Sequence, residues 1–185
     1  KVNNLLELFY NQYQTQDKTS VFLQSLKEVE KKYSWEDVYS NIIKLSEEIS
    51  KYIKKGDRCL LISENRPEWM ISDLSIMLSG GITVPAYTTY TERDYEYIID
   101  DCSPTILIIS DKTQYLKVKN IISKKKFIKK VIFFDVIEEF NQDLHVNINQ
   151  IFENKNFSLL NFSELRIQRK DVACIIYTSG TQGNP

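Results

Sequence analysis

One histidine, three cysteines, five glycines and four prolines in 185 residues leave few routes to several common chemistries. Cys59, Cys102 and Cys174 are odd in number and far apart, without the close pairs that a zinc site or a redox motif needs. They are expected to be free thiols of a reducing compartment. His145 has no serine or carboxylate placed for a triad, so it is read as a surface-loop residue rather than a general base. No apolar run approaches the ~20 residues that span a bilayer, and no charged start followed by an apolar stretch suggests a secretory signal. Charge of one sign is also lacking: 24 basic and 25 acidic residues nearly cancel. No bulk field therefore draws the chain to nucleic acid, which is not an expected partner. A cytoplasmic location is the expectation.

What is present is the balance of one globular domain, 42% hydrophobic and 26% charged. Trp35, Val38, Tyr39, Ile42, Leu45, Ile49 and Ile53 recur at three- and four-residue steps and predict a helix, with Ser34 and Asp37 as its cap and Gly56 beyond its end. A strand is predicted over 58–63, then a helix opened by Pro67 and stopped by Gly80 and Gly81. The alternation continues with strands at 82–84, 105–110 and 131–134 and helices at 92–101, opened by Thr91, and 112–123. After a polar, Asn-rich connection at 138–156, read as a surface excursion, a weak helix near Phe162 leads to a last strand at 172–177. Continuous apolar strands alternating with helices predict an α/β fold, a largely parallel sheet with helices on both faces.

Ligands of such sheets bind at the carboxyl ends of the strands. The segment following the last strand reads Tyr177-Thr178-Ser179-Gly180-Thr181-Gln182-Gly183-Asn184-Pro185. Its hydroxyls and glycines offer donors and close backbone approach to a polyphosphate. Composition alone supports a plain strand-to-helix turn as well. Neither the Walker nor the Rossmann glycine spacing is met.

The spelling Y-T-S-G-T-Q-G-N-P resembles the phosphate-binding loop of the adenylate-forming superfamily, usually Y-T-S-G-T-T-G-x-P-K-G, with Gln182 in place of a threonine. Upstream, Ser34-Trp35-Glu36-Asp37-Val38, Gly56-Asp57-Arg58, Gly80-Gly81-Ile82-Thr83-Val84-Pro85-Ala86-Tyr87 and Tyr97-Ile98-Ile99-Asp100-Asp101-Cys102 are similar to further segments of that family. Ser63-Glu64-Asn65-Arg66-Pro67-Glu68-Trp69 is similar to a segment of its long-chain fatty acyl-CoA synthetases. The resemblance implies the large amino-terminal domain of such an enzyme, 1–185 being an incomplete nucleotide- and acyl-binding part that ends within the phosphate loop. It implies ATP, Mg²⁺ and coenzyme A as cofactor and co-substrates, a fatty acid as substrate, and Thr178, Ser179, Gly180, Thr181, Gly183 and the backbone of Gln182 around the β- and γ-phosphates. No catalytic residue and no metal ligand is assigned within the chain, which is expected to be inactive by itself. An aryl or amino acid ligase, or an FMN-binding module of flavodoxin type, are the alternative readings.

Lys124, Lys125, Lys126, Lys129 and Lys130 are read as a solvated helix end, with peripheral contact to anionic lipid as the rival. Asp100-Asp101 and Glu138-Glu139 are read as solubilising pairs. Trp69, Tyr87 and Tyr90 are read as packing residues rather than channel walls.

Overall fold

A computed structural model describes residues 2–25, 30–138, 141–157 and 167–178. Helix α1 (Leu5–Thr15), capped by the Asn4 side chain, turns Leu6, Phe9 and Tyr13 inward. Strands β1 (Val21–Gln24) and β2 (Lys32–Ser34) form a separate antiparallel pair. Helix α2 (Trp35–Ser50) starts at the expected capping box, in which Ser34 and Asp37 satisfy each other's backbone N–H groups. Its apolar stripe, including Val38, Ile42, Leu45 and Ile49, is buried.

Strand and helix then alternate: β3 (Arg58–Ile62), α3 (Pro67–Leu78), β4 (Ile82–Ala86), α4 (Glu92–Cys102), β5 (Ile106–Ile109), α5 (Lys112–Ile122) and β6 (Lys130–Phe133). Pro67 occupies the first turn of α3, where its missing N–H costs nothing. The turn after α3 passes through Gly80 at φ +81°, a conformation that side chains resist. Helix α4 opens on a second capping box, Thr91 with Asp94.

The Asn-rich connection is not a surface excursion throughout. It contains β7 (His145–Asn147) and α6 (Ile148–Phe152), and both pack inward. Strands β3 to β7 form one parallel sheet in the order β4-β3-β5-β6-β7. Residues of α1, α2, α3 and α6 cover one face and those of α4 and α5 the other, each with its own apolar cluster. The expected last strand is reduced to a parallel bridge between Thr83 and Cys174 on the outer edge of β4. The expected helix near Phe162 lies outside the described residues. Among the described residues no helix is long and apolar enough to cross a membrane.

Candidate functional site

The chain leaves β3 toward the α3 face and leaves β4 toward the α4 face, so the carboxyl ends of these neighbouring strands part. A cavity of about 420 Å³ opens there. Ser63, Glu64 and Asn65 line it from the end of β3, Tyr87 and Thr88 from the end of β4, and Trp69 from α3. Aromatic walls with a few polar tips are the usual make-up of a small-molecule site. A second, more apolar cavity of about 330 Å³, lined by Leu5, Leu6, Met77 and Val172 among others, lies at the opposite, amino ends of the strands. The fold's ligand end is therefore the first.

Ile176, from the segment following the Thr83 bridge, forms another wall of the first cavity. Thr83 N–H donates to the Ala173 carbonyl at 3.1 Å, and Ile175 N–H donates to the Thr83 carbonyl at 2.9 Å. These bonds run the segment parallel to β4 and bring Tyr177 and Thr178 to the carboxyl end of the sheet. Thr178 is exposed there. Ser179, Gly180, Thr181, Gln182 and Gly183 lie outside the described residues.

The β4–α4 loop beside this segment is tied down from two helices. The Tyr95 hydroxyl donates to the Tyr87 carbonyl at 2.7 Å, and Lys117 Nζ donates to the carbonyls of Thr88 at 2.6 Å and Tyr90 at 3.2 Å. Burial pushes the Tyr95 phenol well above its ordinary range, helped by the charges of nearby Tyr90, Asp94 and Asp111. The ring of Tyr90 meets those of Tyr87 and Tyr95 edge-on, at 5.4 and 6.0 Å. Of the three aromatics read as packing, Tyr87 is 63% exposed, and with Trp69 it lines the cavity. Trp69 and Tyr90 keep the expected packing role, each half-buried against one of the two apolar clusters, and Tyr87 does not.

On the α3 side the same sheet end carries an ion cluster centred on the buried Glu68. Arg66 Nε donates to Glu68 at 2.9 Å and Arg66 Nη2 to Asp135 at 3.0 Å, with the guanidinium 5.3 Å from the centre of the Phe134 ring. Glu68 is 1% exposed and also accepts from the Tyr33 hydroxyl at 3.0 Å, with Lys31 Nζ at 3.4 Å. Burial by itself would raise the Glu68 pKa, but the hydrogen bond and charge of Arg66 outweigh it and hold the carboxyl below its usual range.

His145 is not a surface residue. It is 5% exposed in β7, its Nδ1 accepts from Asn141 N–H at 3.1 Å, and Tyr115 and Phe133 meet its ring edge-on. Within the lysine cluster Lys130 is 7% exposed rather than solvated, its Nζ donating to the carbonyls of Gln142 and Asp143. Asp100 pairs with Lys125, and Asp101 accepts from the Tyr177 hydroxyl. All three cysteines are free. Among the described residues no group of three or more His, Cys, Asp or Glu could hold a metal ion.

The strand order has a bearing on the FMN reading, because it matches that of flavodoxin-like sheets. In that arrangement a phosphate loop would follow β3, and the ligand would sit between β3 and β5. The segment after β3, Ser63-Glu64-Asn65-Arg66-Pro67, contains no glycine and carries a carboxylate. The described segment that precedes the Gly-rich residues runs instead along β4's outer edge. Glu64, Asn65 and Thr88 were not assigned to a site by the sequence, although their places just after strands were a usable signal, whereas Ile176 lay inside the expected last strand.

A family profile described as AMP-binding enzyme matches residues 8–185. Fatty acyl-CoA synthetase A of Dictyostelium discoideum is 26% identical over 140 residues, covering 72% of this chain and 20% of that protein. Long chain acyl-CoA synthetase 5 of Arabidopsis thaliana is 30% identical over 163 residues, covering 83% and 24%. The chain thus spans about a fifth to a quarter of the length of these relatives. Among solved structures, coronafacic acid ligase from Pectobacterium brasiliense superposes with a TM-score of 0.77 at 20% identity, over 97% of this chain and 34% of that one. ATP-bound MatB from Rhodopseudomonas palustris gives 0.72 at 19% identity, over 99% and 34%. With a profile match along nearly its whole length and the same fold as these ligases, the chain belongs to the AMP-binding, adenylate-forming enzymes.

Proposed function

We propose that this chain forms part of the amino-terminal nucleotide- and acyl-binding domain of a long-chain fatty acid–CoA ligase. In the first step the fatty acid carboxylate attacks the α-phosphate of ATP and pyrophosphate leaves; in the second the thiol of coenzyme A attacks the acyl-adenylate carbonyl and AMP leaves. The observation that supports this reading is the placement of residues 172–178, which run along β4 and end with Thr178 at the carboxyl end of the parallel sheet beside the cavity. Thr178, Ser179, Gly180, Thr181, Gly183 and the Gln182 backbone would surround the β- and γ-phosphates. Their donors would neutralise charge and orient the leaving group. Mg²⁺ would supply further charge neutralisation on the phosphates, and no described residue is assigned to it.

A relative named as a fatty acyl-CoA synthetase, at 26% identity, and one named as a long chain acyl-CoA synthetase, at 30%, support the fatty acid. The aromatic cavity walls favour a second reading, an aryl acid, and an anthranilate CoA ligase in complex with anthranoyl-AMP has a related fold, with a TM-score of 0.69. The test is ATP–pyrophosphate exchange by the full-length protein across fatty and aryl acids. Long-chain acids should drive exchange, and Thr181→Ala or Gly183→Val should lower it about a hundredfold. Exchange with aryl acids alone would move the substrate assignment, and normal exchange in both variants would remove the loop assignment.

A further inference from the structure

We propose that Asp101, Tyr177 and Tyr90 form a clamp that sets the direction in which the phosphate loop leaves the sheet, acting as positioning residues for ATP. The inference rests on the function proposed above. It begins with a backbone fact. In β4 the even-numbered residues face β3, as the bond from Ile82 N–H to the Asp57 carbonyl shows, while Thr83 faces the outer edge and bonds residues 173 and 175. The next residue on that edge is Pro85, at register with Leu61 of β3. Proline has no N–H, so the carbonyl of Ile175 finds no donor there and the ladder stops.

Beyond Ile175 the chain is held by side chains. The Tyr90 hydroxyl donates to the Tyr177 carbonyl at 3.3 Å. The Tyr177 hydroxyl donates to the Asp101 carboxylate, and the Tyr97 ring meets the Tyr177 ring edge-on at 6.4 Å. Burial and the Asp101 carboxylate both hold the Tyr177 phenol protonated, so it stays a donor. Asp101 and Tyr97 belong to α4, and Tyr90 belongs to the loop fastened by Lys117 and Tyr95. The residue next to Thr178 is thus registered on α4 rather than on the sheet. Thr178 is the first residue of the proposed phosphate loop, so an error in the Tyr177 backbone is passed directly to the phosphate donors.

The experiment compares full-length wild type with Tyr177→Phe, Asp101→Ala and Asp101→Asn, the last of which keeps an acceptor oxygen for the phenol. Three quantities are read: KM for ATP against KM for the acid, Tm, and amide hydrogen exchange of the peptide covering 175–178. Tyr177→Phe and Asp101→Ala should raise KM for ATP about three- to tenfold, with KM for the acid and Tm within error, and should speed exchange of that peptide. Asp101→Asn should recover most of both effects. Unchanged KM for ATP in an active enzyme, or KM values for ATP and acid rising together with a fall in Tm, would overturn the clamp while leaving the proposed function standing. Wild type inactive with every acid would end the functional reading. Exchange of 175–178 would then decide the clamp, since equal rates in wild type and Tyr177→Phe refute it.

Discussion

Replacing Arg66 by methionine should reveal how much of the fold's stability depends on one buried carboxylate. Glu68 stays in the first turn of α3 at 1% exposure, and loses the guanidinium that reaches it at 2.9 Å. Breaking a buried ion pair by removing one partner costs about 3–5 kcal/mol. The Tyr33 hydroxyl and Lys31 remain on Glu68, so the lower end, about 3 kcal/mol, is expected at neutral pH. In a chain of this size that is a Tm loss of roughly 6–12 °C. The pH dependence follows from the direction of the Glu68 shift. In the wild type the folded pKa is depressed, so this carboxylate contributes stability above its unfolded pKa and the contribution is lost as pH falls through the folded pKa. In Arg66→Met burial prevails and the folded pKa is raised above the unfolded one, so the variant is penalised at neutral pH and relieved as Glu68 protonates. The gap between the two proteins should therefore narrow as pH falls from about 7 to about 4. Urea unfolding at several pH values measures it. Arg66→Met with Glu68→Met should return close to wild-type stability. A loss below about 1 kcal/mol at neutral pH, or a gap that does not shrink in acid, would refute the reasoning.

Gly81→Ala should destabilise by about 1–3 kcal/mol in urea titration, because a Cβ there would sit 2.9 Å from Ile53 Cδ1 and 3.0 Å from Ile76 Cγ2. Ser34→Ala removes one half of the α2 capping box and should cost about 1 kcal/mol by the same measurement. His145→Ala should cost about 2 kcal/mol or more by emptying a buried site between Tyr115 and Phe133. In the full-length enzyme it should leave kcat and both KM values near wild type, and a large fall in the chemical step with the fold intact would contradict that.

The parts of the fold that read clearly from the sequence are those whose signals are local and redundant. Ser34 and Asp37 mark a helix start that the apolar period independently requires, and Pro67 with Gly80 and Gly81 bracket α3 in the same way. Strand β7 has no such support. It is three residues long, and His145 and Asn147 are polar types buried by specific partners, Asn141 N–H for one and the Phe134 carbonyl for the other. No periodicity can announce a strand whose burial depends on distant hydrogen bonds. Nothing in the pattern before Ser34 announces the pairing of β1 with β2, whose four- and three-residue strands fall below the length at which alternation is informative. At the site the succession of strands along the chain was legible, because it is a linear feature, while the Gly-rich residues beyond Thr178 lie outside the described residues. The cavity was not legible, since Ser63, Tyr87 and Ile176 meet only after β3, β4 and the segment bridged to β4 are placed side by side.

The distribution of thiols on this sheet gives the molecule a built-in chemical handle. Cys59 is buried in β3 and Cys102 near the end of α4, where burial pushes their thiols upward, that of Cys102 to about 11. Cys174 is exposed, at the bridge to β4 and three residues before Tyr177. Because the thiolate is the reactive form and access limits the rest, a maleimide dye at neutral pH should attach at Cys174 and spare the other two. A fluorophore at Cys174 would then sit on the segment that leads to the proposed phosphate loop, and a change in its emission on addition of ATP would test that assignment.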